Sequence, residues 1–464
     1  MKKTTAAVVA VAMIGAPTAA FAATKAPKAG ATCTAAQVGK TVGTLTCLKN
    51  GRKRIWTQGA VAAPTTAAAT GAVSAPAGAP AGLKAVPGFD GKTIVIGNIT
   101  SKTNAAWGPL SRGIAASLEA HVKAINAKGG IAGKYPIKIE EAETNYDPNI
   151  AVQQLSATKD KVVMYASVLG TPVNEALLPL YEQNKLVASP GSLDAKWISK
   201  KNMIPILTSY QVQAINGVSY YLEKNPNKTI CAVSRQDAYG ETGTEGVKFA
   251  QSKQGFKLGT IETVPASQTD MAAVTVRLRD AKCDGVYVTI GPAQATALLV
   301  QGNQNGYTPQ WILMSPTFSD KQVTPAVSAL YEKYVWMSGD GVEWGDKSAP
   351  GMKQLISELT AAGFDNYVSA PDVGNVWGFA QAKAVEAVLE QAVKNGDLSR
   401  DGMLKAANEI GAPDLGGLGA SVDLAKRTPA PKNSIFRADG SKQLAITLLQ
   451  KEYGTPAAAE YRKS

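Results

Sequence analysis

Hydrophobic positions change their spacing twice between Lys92 and Ile139. Thr93-Ile94-Val95-Ile96-Gly97 is an apolar run of the kind a buried strand carries, and it opens into the polar stretch 98–106. Beyond Pro109, Leu110, Ile114, Leu118, Val122 and Ile125 recur every three or four residues, which places them on one helical face. Gly129-Gly130 stops that helix, because glycine readily takes the left-handed turn a helix end favours. Ile137-Lys138-Ile139 then alternates as a second strand. Strand, helix and strand make a βαβ unit, and in open α/β sheets ligands bind beyond the carboxyl ends of such strands.

The same alternation continues along the chain. The apolar runs 162–166 and 186–188 predict strands, with a helix over 173–183 between them. Thr171 is the expected N-cap of that helix, with Pro172 at its first position, and Asp147-Pro148 repeats the device before a helix carrying Val152 and Leu155. A second series places helices over 215–222, 240–253, 270–280 and 293–304, with strands over 229–233, 258–264, 286–290 and 311–314. A further strand is expected over 334–337, and helices over 352–362 and 373–393. Two βα series of similar size predict an α/β fold of two doubly wound parallel-sheet lobes, with a ligand the size of an amino acid or a sugar between their facing loops.

Composition separates the N-terminal part from this body. The chain carries Lys+Arg 48 against Asp+Glu 36, a formal charge of +12, yet residues 1–90 alone hold ten basic residues and one acid. The body is nearly balanced, which argues against nucleic acid as a partner. Lys2-Lys3, the small and apolar run 6–16 and Ala20-Phe21-Ala22 have the order of an export signal over residues 1–22. No later stretch has the roughly 18 continuous apolar residues that a membrane helix needs, so the expected location is the periplasm or the outer cell surface. Residues 23–58 form a small basic module whose Lys49, Arg52, Lys53, Arg54 and Trp56 suit an anionic envelope surface or a merely solvated turn. Residues 59–89, rich in Ala, Pro and Thr, read as a linker.

Four cysteines in an exported chain suggest two disulfides. Cys33 and Cys47 enclose a short segment. Cys231 and Cys283 each open an apolar run, so neighbouring parallel strands would bring them together; free buried thiols are the alternative for this pair. Catalytic chemistry finds little support. The single histidine, His121, lies in the first helix, Gly416-Gly417-Leu418-Gly419 follows no strand, and no metal-ligand cluster, nucleophile elbow or P-loop is present in the sequence. No enzyme, cofactor or metal is expected.

Ile125-Asn126-Ala127-Lys128-Gly129-Gly130-Ile131, Asp147-Pro148 with Ala151-Val152, Ser189-Pro190 and Tyr239-Gly240, in this order and spacing, resemble the type I periplasmic binding proteins, specifically the branched-chain amino acid (leucine/isoleucine/valine) binders that serve ABC importers. The resemblance runs from about Lys92 to the C-terminus. It implies three hinge crossings, near residues 207–211, 338–344 and 429–434, with lobe I from 90–208 and 340–430 and lobe II from 209–339 and 431–464. It also implies closure on a small polar ligand (amino acid, amide or carboxylate) and docking on an ABC permease. A ligand-sensing envelope receptor without a transport role is the alternative.

By the same resemblance, Gly170 and Thr171 hold the ligand carboxylate, and helix-terminal amides suit that task. Read from its residues alone, Thr171 is a helix cap. Trp107 matches the aromatic lid, Gly191 and Ser192 match contacts beyond Ser189-Pro190, and Tyr239 matches the tyrosine that meets the ligand on closure; packing roles are the alternatives. Thr317 stands where the family's amino-acid binders place an acid for the ligand ammonium, and Asn375 stands where they often carry an aromatic residue. The ammonium thus lacks its partner unless Asp237, Asp320 or Asp372 supplies the charge, and a buried ammonium without one is costly.

Overall fold

The computed structural model describes residues 83–462 continuously and, before them, residues 28, 31–34, 41–42, 45–50 and 53–58. The expected export signal and residues 59–82 of the expected linker lie outside the described residues. In the N-terminal unit, β1 (Thr41–Val42), β2 (Leu45–Asn50) and β3 (Lys53–Gln58) form an antiparallel sheet in that order. Asn50 is in register with Lys53, a reversal at the Asn50-Gly51 signal. Cys33 is disulfide-bonded, while the side chain of Cys47, its expected partner, lies outside the described residues.

The second unit begins earlier than the linker composition suggests. Leu83 and Phe89 are buried in the main core, and Phe89 meets Tyr135 edge to face at 5.5 Å. Both lie in the Ala/Pro/Gly-rich stretch expected to end as a linker at residue 89.

The first series runs β4 (Ile94–Thr100), α1 (Gly108–Ala127), β5 (Ile137–Glu143), α2 (Pro148–Thr158), β6 (Met164–Leu169), α3 (Thr171–Gln183) and β7 (Ala188–Gly191). Its strands form a parallel sheet in the order β5-β4-β6-β7. The second series runs α4 (Tyr210–Lys224), β8 (Ile230–Arg235), α5 (Ala238–Gln254), β9 (Leu258–Val264), α6 (Ala272–Asp280), β10 (Gly285–Thr289), α7 (Pro292–Gln304), β11 (Gln310–Met314), α8 (Ser328–Tyr334) and β12 (Val335–Gly339). There follow α9 (Pro350–Ala361), α10 (Asp365–Ser369), α11 (Val373–Lys394), α12 (Arg400–Ala407), β13 (Asn433–Ala438), β14 (Ile446–Tyr453) and α13 (Pro456–Glu460).

The second sheet has the order β14-β13-β12-β11-β10-β8-β9, and β13 runs antiparallel to both β12 and β14. The all-parallel expectation therefore fails at this edge. β13 and β14 arrive after the return excursion through α9–α12, and β14, whose outer face is largely exposed, lacks the continuous apolar run of a central strand. Cys231 of β8 and Cys283 just before β10 are bonded across adjacent parallel strands, with Cα atoms 5.7 Å apart.

Helices α9 and α11 pack on α1, beside the first sheet. The α1–α11 contact is close because Gly378 offers no side chain: a Cβ there would stand 2.3 Å from Ile114 O. Behind it, His121 is buried between Glu358 of α9 at 2.8 Å and Glu386 of α11 at 3.1 Å.

The chain passes between the two sheets three times, and the passages meet at Asp340. Thr208 donates to it from its N–H at 2.5 Å and its hydroxyl at 3.3 Å, and the Ala420 N–H adds a contact at 3.3 Å. Thr208 Oγ1 also donates to Lys432 O on the third passage. Burial pushes the Asp340 carboxyl up to about 6, against these hydrogen bonds, which favour the ionised form.

Candidate ligand-binding site

The loops beyond β4, β5, β6, β7, β8 and β11 converge between the two sheets. Trp107, Leu110, Tyr146, Leu169, Gly170, Thr171, Gly191, Tyr210, Tyr239 and Pro316 line one pocket there. Trp107 is placed by Asn104, whose Oδ1 accepts from the Ala106 and Trp107 N–H groups at 3.0 Å each. Its ring stacks on Tyr146 at 5.8 Å and meets Tyr239 edge to face at 5.3 Å, while Tyr239 meets Tyr210 at 5.3 Å. These rings leave a cavity of about 20 Å³, room for about one water. The lobes are thus closed on an aromatic seam. A second space of about 60 Å³ shares Trp107, Leu110 and Pro316 as walls and is also lined by Phe318, Lys321 and Asp372.

Trp107, Gly170, Thr171, Gly191 and Tyr239 are brought together as the resemblance implies. Thr171, however, is the first helical residue rather than the N-cap; Gly170 caps α3 at φ 111°, and the helix has no side-chain cap. The Thr171 hydroxyl instead bonds Ser192 Oγ at 2.7 Å. Ser192 is fully buried and also accepts from Trp197 Nε1 at 3.0 Å, so its hydroxyl braces the loop behind the pocket wall. Thr317 sits behind Pro316, with its hydroxyl shared among Tyr239 Oη at 2.8 Å, Ile290 O at 3.0 Å and the Ile290 N–H at 3.2 Å. It orients the Tyr239 phenol.

Asn375 lies outside both cavities. Its Oδ1 accepts from the Asp372 N–H, and its Nδ2 donates to Gly113 O and Ser117 Oγ, which closes the α11 capping box and pins α11 to α1.

Each of the acids considered for the ammonium role holds a partner, although Asp320 Oδ1 is buried without a hydrogen bond among the described residues. Asp237 caps α5 through the Gly240 N–H and pairs with Arg235 at 2.8 Å; Asp372 accepts from the Gly374 N–H. Asp320 pairs with Lys321 at 2.7 Å, and burial, helped by Asp372, pushes its carboxyl up to about 6. Arg235 lies across the cleft, its guanidinium 5.7 Å from the Trp107 ring centre and 5.5 Å from that of Tyr146. Among the described residues no group of His, Cys, Asp and Glu has the arrangement of a metal site.

Sequence reasoning missed Leu110, Tyr146, Leu169, Tyr210, Pro316 and the overlying Arg235. Tyr146 follows the carboxyl end of β5, the place the α/β rule singles out, and Tyr210 falls in the first expected crossing. The other four looked like ordinary core or turn residues.

Two α/β lobes, linked by three strands of chain and closed over a pocket at the carboxyl ends of their sheets, define a hinged ligand-binding protein. The family description Periplasmic binding protein matches residues 93–443, and the chain belongs to that family, in its type I form. An amino acid binding protein of Pseudomonas aeruginosa is 22% identical over 279 residues, covering 58% of this chain and 71% of that protein. The leucine-specific-binding protein of Salmonella typhimurium is 24% identical over 230 residues, 48% of this chain and 60% of its own length.

Among solved structures, a fatty acid ABC transporter substrate-binding protein from Thermomonospora curvata superposes with a TM-score of 0.77 at 23% identity, covering 83% of this chain and 98% of that one. A branched chain amino acid ABC transporter structure from Thermus thermophilus with bound valine gives 0.68 at 15% identity, covering 79% and 97%. These relatives bear the names of binding proteins, not enzymes.

Proposed function

We propose that the protein is an exported solute-binding protein that captures a small carboxylate with an apolar body and no ammonium group, and delivers it to an ABC importer. The observation that carries this reading is the pairing of an aromatic and aliphatic wall with the N-terminus of α3 in a pocket that no acidic side chain lines. Helix-terminal amides favour an anion, and the rings favour an apolar body. The Trp107 indole N–H, buried without an acceptor among the described residues, offers a further donor to a ligand oxygen. The name of the fatty-acid-binding neighbour accords with such a ligand.

The test is thermal stabilisation of the full chain by matched ligands: hexanoate, hexanamide and leucine, then longer and aromatic carboxylates. A ligand at a hundred times its Kd stabilises the folded protein by about 2.7 kcal/mol. Carboxylates should outrank both their amides and the corresponding amino acids. A preference for leucine over every plain carboxylate would defeat the reading.

A further inference from the structure

The short helix α10 ends against the opposite lobe. The last turn of a helix leaves carbonyls with no donor of its own, and here four consecutive carbonyls, from Val368 to Pro371, find donors on the lobe of the second sheet. Gln443 Nε2 donates to Val368 O at 3.3 Å and to Ser369 O at 3.2 Å. Lys321 Nζ donates to Ala370 O at 3.3 Å and to Pro371 O at 2.8 Å. A helix C-terminus carries partial negative charge, so an ammonium suits the place.

Donors and acceptors are each fixed within their own lobe. Lys321 lies in the turn Asp320–Gln322 after β11, paired with Asp320 at 2.7 Å, and Gln322 Oε1 accepts from Thr296 Oγ1 of α7 at 3.1 Å. Gln443 lies in the β13–β14 loop, where the Ala445 N–H donates to Lys442 O at 2.9 Å and Leu444 is buried. On the facing side, Pro371 directly precedes Asp372, whose capping box with Asn375 ties α11 to α1. The four hydrogen bonds therefore cross from one lobe to the other. They lie at the rim of the cleft, where Lys321 is partly exposed and Gln443 exposed.

We propose that Lys321 and Gln443 form a latch across the cleft: they reach the α10 carbonyls only when the lobes are closed, and so set how firmly the closed protein holds its ligand. This deepens the solute-binding reading above and rests on its hinge closure. Hydrogen bonds and ion contacts at an exposed rim are individually modest, which suits a latch that has to release. A ligand held between the lobes is retained in proportion to the closing equilibrium. The latch thus acts on every ligand alike, whatever its polar group, whereas pocket contacts discriminate.

Nitroxide labels at the exposed positions Lys138 and Lys248, one on each lobe, report the inter-lobe distance in the full chain by pulsed electron paramagnetic resonance. In the double variant Lys321→Met/Gln443→Leu the ratio of closed to open molecules should fall at least fivefold without ligand. Where the ligand-free wild type is fully open, the hexanoate concentration that closes half of it should rise by that factor instead. Each single variant should show at least a twofold change, which decides the matter should the double variant not fold, and Lys321→Arg, which keeps a cation, should stay within twofold of the wild type. No change in the variants overturns the proposal. So does a wild type with one and the same inter-lobe distance with and without hexanoate, because such lobes have no equilibrium to bias. A wild type that shows both distances but does not respond to hexanoate defeats the carboxylate reading, and the ligand-free ratio then still decides the latch.

Discussion

At Gly170 the backbone takes φ 111°, a conformation that a side chain resists, and the Tyr146 ring fills the space where a Cβ would go. Gly170→Ala should therefore destabilise the fold by about 2 kcal/mol and weaken ligand binding, measured by denaturant unfolding and by titration calorimetry with the strongest carboxylate found. Trp107 and Tyr239 form the seam between the lobes, so Trp107→Ala and Tyr239→Ala should each raise the ligand Kd at least tenfold, about 1.4 kcal/mol, with the far-ultraviolet spectrum unchanged. Unchanged affinity in both would remove the pocket from consideration. These residues were legible from their resemblance to family positions. Thr317 and Asn375 each match a family position in sequence while their polar atoms bond within the fold: one is shared among Tyr239 and Ile290, the other spans α1 and α11.

On the scale of elements, α1, α9 and α11 are joined by one buried polar cluster. Burial opposes charge on His121, but the hydrogen bonds its protonated ring donates to the Glu358 and Glu386 carboxylates outweigh it and raise its pKa. Chiefly through its hydrogen bond with His121, and despite burial, the Glu386 carboxyl is held down at about 2. The histidine's contribution is present below its unfolded pKa of about 6.5 and is lost as pH rises through the raised folded value. The glutamate's contribution is present above about 4.5 and fades as pH falls toward 2. His121→Gln should thus lower unfolding free energy by about 3 kcal/mol between these limits, with a smaller gap at pH 9 than at pH 6. A gap independent of pH would reduce the cluster to packing. The periodicity of α1 showed which face is buried; the two acids that meet it lie 237 and 265 residues away in sequence, so no local pattern pointed to them.

Across the whole molecule, opening of the lobes must act on the three passages that meet at Asp340. A carboxyl whose folded pKa stands at about 6 binds its proton more tightly in the folded state, so stability falls as pH rises from about 4 to 6 and stays lower above that window. The neutral variant Asp340→Asn escapes this ionisation. The stability of wild type minus variant should drop by about 3 kcal/mol across the window and stay level outside it, read from unfolding curves at successive pH values. A flat difference would show that Asp340 keeps one protonation state throughout.

The order of strands and helices was set by local pattern, because period, caps and backbone freedom are properties of a few neighbouring residues. The family resemblance added the three hinge crossings and the roles of the site residues. Tertiary structure alone decided the antiparallel edge of the second sheet, the early packing of Leu83 and Phe89, the His121 cluster and the meeting of three passages at Asp340. It also decided which polar groups face the pocket. Thr317, Ser192 and Asn375 look like site residues in one dimension, yet their hydrogen bonds are consumed inside the protein, whereas Tyr146 enters the pocket from the loop after β5 and Tyr210 from the first turn of α4. A side chain's availability to a ligand depends on what else can satisfy it, and those partners come from distant parts of the chain.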